Sequence, residues 1–305
     1  MLDLVRRRVT AATTDPFGHA EYPLANSLDH APDPGLFGPG SISWEVLGDT
    51  AAFVGGVRGL LIQAAHPEVV AGVHDHSRYR EDPLGRLSRT SAYVTATTYG
   101  AMPEVEAAVR FVRRAHRPVA GMSHRGRPYS AGDPGMAAWV HNALTDSFLR
   151  AFQVYGSRRL SEDEADRFVA EQTRVGALLD ADPMPTTARE LAAWVAGHPE
   201  VGTSPGMAEA VGFLRDPPLR PTQRAGYAAL FTAAVAILPV RIRETLGVGP
   251  APGGEAIGRA TVAGLRWALG SSPSWHLALV RTGAPVPEGR FIQPLPADLS
   301  NGPRG

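Results

Sequence analysis

DPGMAAWVHNALTDSFLRAFQVYG, residues 133–156, decides the fold. Asp133 can accept hydrogen bonds from the free N–H groups of a first helical turn. Pro134 at the first helical position gives up an N–H that has no partner there anyway. Gly156 is a stop signal, so the stretch predicts one long helix running through Tyr155. The same start recurs at Asp82-Pro83, predicting a helix from there to about Gly100, and Pro103 opens another from about Glu104 to His116. Ser161 with Glu164, and Thr187 with Glu190, are capping boxes; the first precedes a helix to about Leu179. Further helical spacing covers Met207 to Leu214, Arg220 to Ile237 and Glu255 to Leu269.

Upstream, Trp44 to Ala65 carries apolar residues at Val46, Leu47, Ala51, Val54, Val57, Leu60 and Leu61, the spacing of a buried helix. Its glycines, Gly55, Gly56 and Gly59, lower helix propensity but allow close approach of a neighbouring helix or a flat ligand. No long alternating run marks a strand. The expectation is one all-α domain over residues 41–281. An irregular arm rich in Pro, Gly and Asp precedes it over 1–40, and an extended tail follows over 282–305.

The composition excludes several chemistries. Hydrophobic residues make up 44% and charged residues 20%, an ordinary globular balance. The formal net charge is zero and no polybasic stretch stands out, which argues against nucleic acid as a partner. All 30 basic residues are arginine, so lysine Schiff bases and lysine general bases are excluded. The chain has no cysteine, so a metal would sit on His, Asp, Glu, Met or Tyr, and a thiolate-ligated heme is excluded. The N-terminus lacks the apolar core of a signal peptide, and no stretch approaches the roughly 20 apolar residues of a membrane span. A cytoplasmic location is expected.

Six of the ten histidines, His66, His74, His76, His116, His124 and His141, fall between residues 66 and 141. His74 and His76 lie two apart, which cannot share a helix face, so they would share a metal only from a strand or an irregular turn, with Asp75 and Asp82 to complete the site. Val105, Val109, Val112 and His116 fall near one helix face. An imidazole ending such a stripe is either a satisfied core histidine or an axial ligand in an apolar pocket. Arg86, Arg89 and Thr90, at i, i+3 and i+4, suit an anion such as a heme propionate or a phosphate, or the polarising of bound dioxygen; a solvated charged face is the plainer reading.

A resemblance adds to these readings. The runs Gly48 to Pro67, Ala71 to Ser77, Asp82 to Thr90, His116 to Val119, Tyr129 to Pro134, Trp139 to His141 and Leu238 to Arg241 resemble, in that order, the bacterial and fungal oxygenases of the MpaB type. Those are related to the latex-clearing-protein rubber oxygenases. The similarity covers about Trp44 to Leu246. It implies an all-helical fold holding one heme b, with His116 at the position of the proximal iron ligand. It also implies that Arg86, Arg89 and Thr90 match a polar Arg-x-x-Lys-Thr cluster beside the heme. Arg89 replaces the lysine, and arginine is not an iron ligand. His141 is placed with Arg86, Arg89 and His116 among the cofactor-binding residues, and His66, His74 and His76 are matched positions without a role. The chemistry implied is oxidative cleavage of a carbon–carbon double bond by dioxygen in an apolar or prenylated small molecule. Peroxide-driven oxidation, dehydration and plain heme binding are the alternatives.

Overall fold

Pro134 and Tyr155 bound the longest helix of the computed structural model, which describes residues 2–14, 22–77, 82–287, 291 and 293. Along the chain the helices are α1 (Leu2–Thr14), α2 (Ile42–Gly48), α3 (Ala52–Ala64), α4 (Pro67–His76), α5 (Pro83–Tyr99) and α6 (Met102–His116). A short hairpin follows, β1 (Ala120–Met122) and β2 (Pro128–Ser130), antiparallel with Gly121 opposite Tyr129. Then come α7 (Pro134–Tyr155), α8 (Glu162–Ala177), α9 (Ala188–Gly197), α10 (Pro205–Arg215), α11 (Pro221–Ala236), α12 (Val240–Thr245), α13 (Gly254–Leu269) and α14 (Pro273–Thr282). The fold is all-α apart from that hairpin.

The caps act as the side-chain chemistry predicts. Asp133 accepts from Met136 N, Asp82 from Gly85 N, and Ser161 from Glu164 N, while the Glu164 carboxylate returns to Ser161 N.

At the centre, α3 lies against α7 because its glycines bring the backbones together. A Cβ on Gly55 would stand 2.7 Å from the Phe148 ring, and one on Gly59 would stand 2.7 Å from Leu144. Gly56 turns the other way and meets nothing within 4 Å. The Arg58 guanidinium is buried in this joint. It donates to Asp146 at 2.7 Å, to Ser147 at 2.8 Å and, from Nε, to the Ile237 carbonyl at 3.1 Å, so one cation ties α3, α7 and the end of α11. The main core runs through these helices and includes Leu61, Ile62, Trp139, Phe152, Phe168 and Ile242.

The structure changes some of these expectations and adds detail to others. The single helix over Trp44 to Ala65 is two, because the Asp49 carboxylate captures Ala51 N (2.8 Å) and is itself held by Arg266 (2.8 Å). A side chain that bonds the backbone ahead of it stops one helix and starts another. Residues 67–76 are helical, with Pro67 in the first turn. The arm over 1–40 is not irregular throughout: α1 packs on α13 and α11, tertiary contacts that a short segment with three arginines does not advertise. Residues 22–41 are mostly turns around a short 3₁₀ stretch, Ser27–His30; residues 15–21 lie outside the description. The tail expected from 282 begins inside α14, residues 284–287 have no regular structure, and the rest lies outside the described residues except Phe291 and Gln293.

Candidate active site

Gly56 opens onto a cavity of about 690 Å³, within the range of small-molecule and cofactor sites. Its wall is built from several helices: Leu60 from α3, Arg86, Thr90 and Val94 from α5, Phe148 from α7, Phe213 from α10, Tyr227 and Leu230 from α11, and Leu265 from α13. Val9 and Thr13 of α1 and Gln293 near the C-terminus complete it. Hydrocarbon dominates the surface. Tyr227 contributes its ring while its hydroxyl donates to the Leu214 carbonyl at 2.6 Å.

α5 brings Arg86 and Thr90 to this wall. Arg86 Nη1 donates to Ser77 Oγ at 3.3 Å, and Thr90 Oγ1 to the Arg86 carbonyl at 3.1 Å. Arg89 does not line the cavity. It is exposed and pairs with Asp82 at 3.1 Å, so the structure joins Arg86 and Thr90 on one face but not all three. The reason is angular: four residues return a helix nearly to the same side, while three residues fall about 60° short.

His74 also lines the cavity. Its Nδ1 is 3.1 Å from Asp75 Oδ1 and its Nε2 is 4.0 Å from Glu209. The Tyr129 hydroxyl donates to the other oxygen of Asp75, and that bond, followed by His74, lowers the Asp75 pKa. His76 leaves α4 in another direction, with Nε2 3.1 Å from the Ala120 carbonyl. A helix separates the two rings, so the paired-histidine metal site is corrected. Among the described residues no group of three or more His, Asp or Glu side chains is arranged to hold a metal.

His116 ends α6. Only Gly100 and Ala101 separate α5 from α6, and Tyr93 of α5 packs with Val105 and Val109 of α6, so the two helices form a hairpin. The start of α5, with Arg86 and Thr90, therefore lies at the same end as His116. The hairpin is tight at its turn, where Ala96, Tyr99, Ala101 and Val105 are buried. Its other end is open: Thr90, Arg89, Phe111 and His116 are exposed, Phe111 to 48%. His116 is not on the cavity wall, and its ring makes no hydrogen bond to a described residue. Although it is open to solvent, the surrounding protein desolvates the ring enough to lower its pKa, which favours neutral imidazole.

His141 and His66 pack against interior neighbours. His141 faces α8, against Gly176 and Met184, with Nε2 3.4 Å from Thr145 Oγ1, and burial lowers its pKa to about 4. His66 is buried against Trp139 and His198, with ring centroids 5.6 and 5.7 Å away. Burial outweighs the nearby Glu68 carboxylate and holds the His66 pKa down at about 4. Burial alone would raise Glu68, yet Arg125 and Ser123 bond it and bring its pKa to about 2.

The family model for the catalytic domain of the ER-bound oxygenases mpaB/B′ and rubber oxygenases matches residues 44–267. The chain belongs to this family. It is therefore an enzyme of the oxygenase kind, an oxidoreductase. No individual characterised protein and no solved structure gives a match. The matched oxygenase domain contains α3, α5, α6 and α7, hence Arg86, Thr90 and His116. It stops short of Val9, Thr13, Ser272 and Gln293, which also border the cavity. Despite the membrane association in the family's description, no helix among the described residues is long and apolar enough to cross a bilayer.

Sequence reasoning named His74 only as half of a metal pair and as a matched position without a role, and it missed the contributions of α10, α11 and α13 to the cavity. Those helices were legible, but nothing local says which of their faces meets α3 and α5.

Proposed function

We propose that this oxygenase works with heme b held by His116 and uses dioxygen to oxidise an apolar or prenylated small molecule. The observation that carries the reading is the largely hydrocarbon cavity of about 690 Å³ with Arg86 and Thr90 on its wall, in a chain of an oxygenase family.

The residues present fit the group in part: Arg86 and Thr90 line the cavity, while His116 stands outside its wall at the open end of the α5–α6 hairpin. A histidine that would hold the iron must be neutral and have a free lone pair, and the His116 imidazole has no hydrogen-bond partner among the described residues and a pKa lowered by desolvation. The porphyrin edge carries carboxylates, and Arg86 brings a permanent guanidinium to the wall. When bound, the porphyrin iron supplies the redox chemistry with dioxygen that no side chain of this set can perform.

The chain's own residues do the rest. Leu60, Val94, Phe148 and Leu230 exclude water and select an apolar substrate. Arg86 holds an anionic group, or stabilises negative charge that develops near it, in a site where poor hydration strengthens the interaction. Thr90, now bonded to its own helix, presents its remaining lone pairs to the cavity as an acceptor.

An absorption spectrum with metal analysis tests this. The purified protein is expected to show a Soret band with stoichiometric porphyrin iron, and His116→Ala to lose the band while keeping its helical circular dichroism. A Soret band unchanged in His116→Ala, or protein that takes up no porphyrin at all, would overturn the assignment.

A further inference from the structure

α5 is rich in hydroxyls, and several of them are already spent. Thr90, Thr97 and Thr98 each return theirs to the carbonyl four residues back on the same helix, at 3.1, 2.9 and 2.6 Å. Ser91 and Thr95 differ. Both line the cavity, and neither side chain makes a hydrogen bond to a described residue. They lie one turn apart on α5, a spacing that puts their Cβ atoms roughly 6 Å from each other. Gln63, near the end of α3, lines the same cavity, and its amide also has no partner among the described residues.

All three side chains are half-buried. Their polar atoms are not sealed off as the unpaired Tyr93 hydroxyl is, so they open onto space that a ligand can enter. A hydroxyl or amide left unpaired on a poorly hydrated hydrocarbon wall costs free energy. Small-molecule sites use a few such groups on an otherwise apolar wall to fix the orientation of what they bind. Ser91, Thr95 and Gln63 can each donate and accept, and none is charged. Their complement is a neutral oxygen, a hydroxyl or a carbonyl, on an otherwise apolar molecule. A plain hydrocarbon would leave all three unpaired.

We propose that Ser91 and Thr95 are specificity-determining residues of the cavity, and that its substrate is an apolar molecule carrying a hydroxyl or carbonyl group that they hydrogen-bond. This rests on the reading of the cavity as the substrate site. No covalent step is involved; the two hydroxyls hold the ligand in one orientation.

The test compares farnesol, an unsaturated alcohol, with the same triene lacking the hydroxyl. Each is used to displace the apolar dye N-phenyl-1-naphthylamine from full-length wild-type protein and from the double variant Ser91→Ala, Thr95→Val. Farnesol affinity is expected to fall about three- to tenfold in the double variant, the size of one net neutral hydrogen bond. The affinity of the triene is expected to hold or rise. Without ligand the double variant should melt with the wild type, since the hydroxyls it removes bond nothing in the fold; melting well below it would assign them to stability and overturn the proposal. Farnesol binding unchanged by the two substitutions overturns it as well, as does equal weakening of farnesol and the triene. Wild-type protein that binds neither the dye nor either ligand rejects the cavity as an apolar substrate site, and the role of Ser91 and Thr95 with it.

Discussion

At the turn of the α5–α6 hairpin most polar groups are matched, the buried Glu104 Oε1 being an exception. Trp44 Nε1 donates to the Thr98 carbonyl at 2.7 Å, the Tyr99 hydroxyl to the Trp44 carbonyl at 3.0 Å, and Ala101 N to Glu104 at 2.9 Å. At the open end of the same two helices the pattern reverses. Thr90 Oγ1 bonds the Arg86 carbonyl of its own helix, the Tyr93 hydroxyl has no hydrogen-bond partner, and the His116 ring stands exposed without one among the described residues. One supersecondary unit thus has an end specified by packing and an end whose side chains are left available. Stability should be concentrated at the first and ligand chemistry at the second.

The sharpest way to break this comparison is Trp44→Ala. The indole is 2% exposed and packs against Tyr99 with ring centroids 5.7 Å apart. Its removal is expected to cost about 3–5 kcal/mol in urea unfolding, the range for large aromatic-to-alanine changes in cores. A loss under 1 kcal/mol would mean that the turn is not the stability anchor.

Acid comes next. His66 has an ordinary pKa of 6.5, lowered by burial to about 4 in the folded chain. Between those values the unfolded chain binds a proton that the folded chain refuses, so stability is fully present above pH 6.5 and declines as pH falls towards 4. The loss from His66 amounts to roughly 3 kcal/mol at most, at about 1.4 kcal/mol per pKa unit. The urea midpoint measured from pH 7 to 4 should fall, and its slope should flatten in His66→Gln. An identical slope in that variant would assign the acid sensitivity elsewhere, His141 being the next candidate because burial also lowers it to about 4.

Gly55→Ala probes the α3–α7 joint at the centre of the fold. The new methyl would stand 2.7 Å from the Phe148 ring and 3.0 Å from the Phe148 Cα, so backbone must shift. About 1–3 kcal/mol of destabilisation is expected, the usual effect of overpacking. Gly56→Ala, facing the cavity with nothing within 4 Å, serves as its control and should be stable.

The smallest effect is expected at the open end. His116→Ala in protein without ligand should alter stability by no more than about 0.5 kcal/mol, as for a surface substitution. A larger loss would show that His116 supports the fold, and the contrast between the two ends would fail.

Much of the fold was readable because its boundaries are local. Asp82, Asp133, Ser161 and Thr187 cap helices within a few residues of themselves, and the structure uses all four. Two other features depend on distant chain. Asp49 splits the helix expected over 44–65 with help from Arg266, more than two hundred residues away, and α1 is helical where it lies on α13 and α11. For the cavity wall, the shared face of Arg86 and Thr90 follows from i, i+4 spacing, and Arg89 lies off that face. His74 needed the observation that α4 is a helix.

The cavity wall is not the property of the family domain alone. Val9, Thr13 and Gln293, from the two extremities of the chain, sit across from α3 and α5. A version trimmed to residues 44–267 would keep the floor of the chamber and lose part of its rim, leaving an oily bowl facing water. Anyone shortening this protein for study should expect aggregation before expecting altered catalysis.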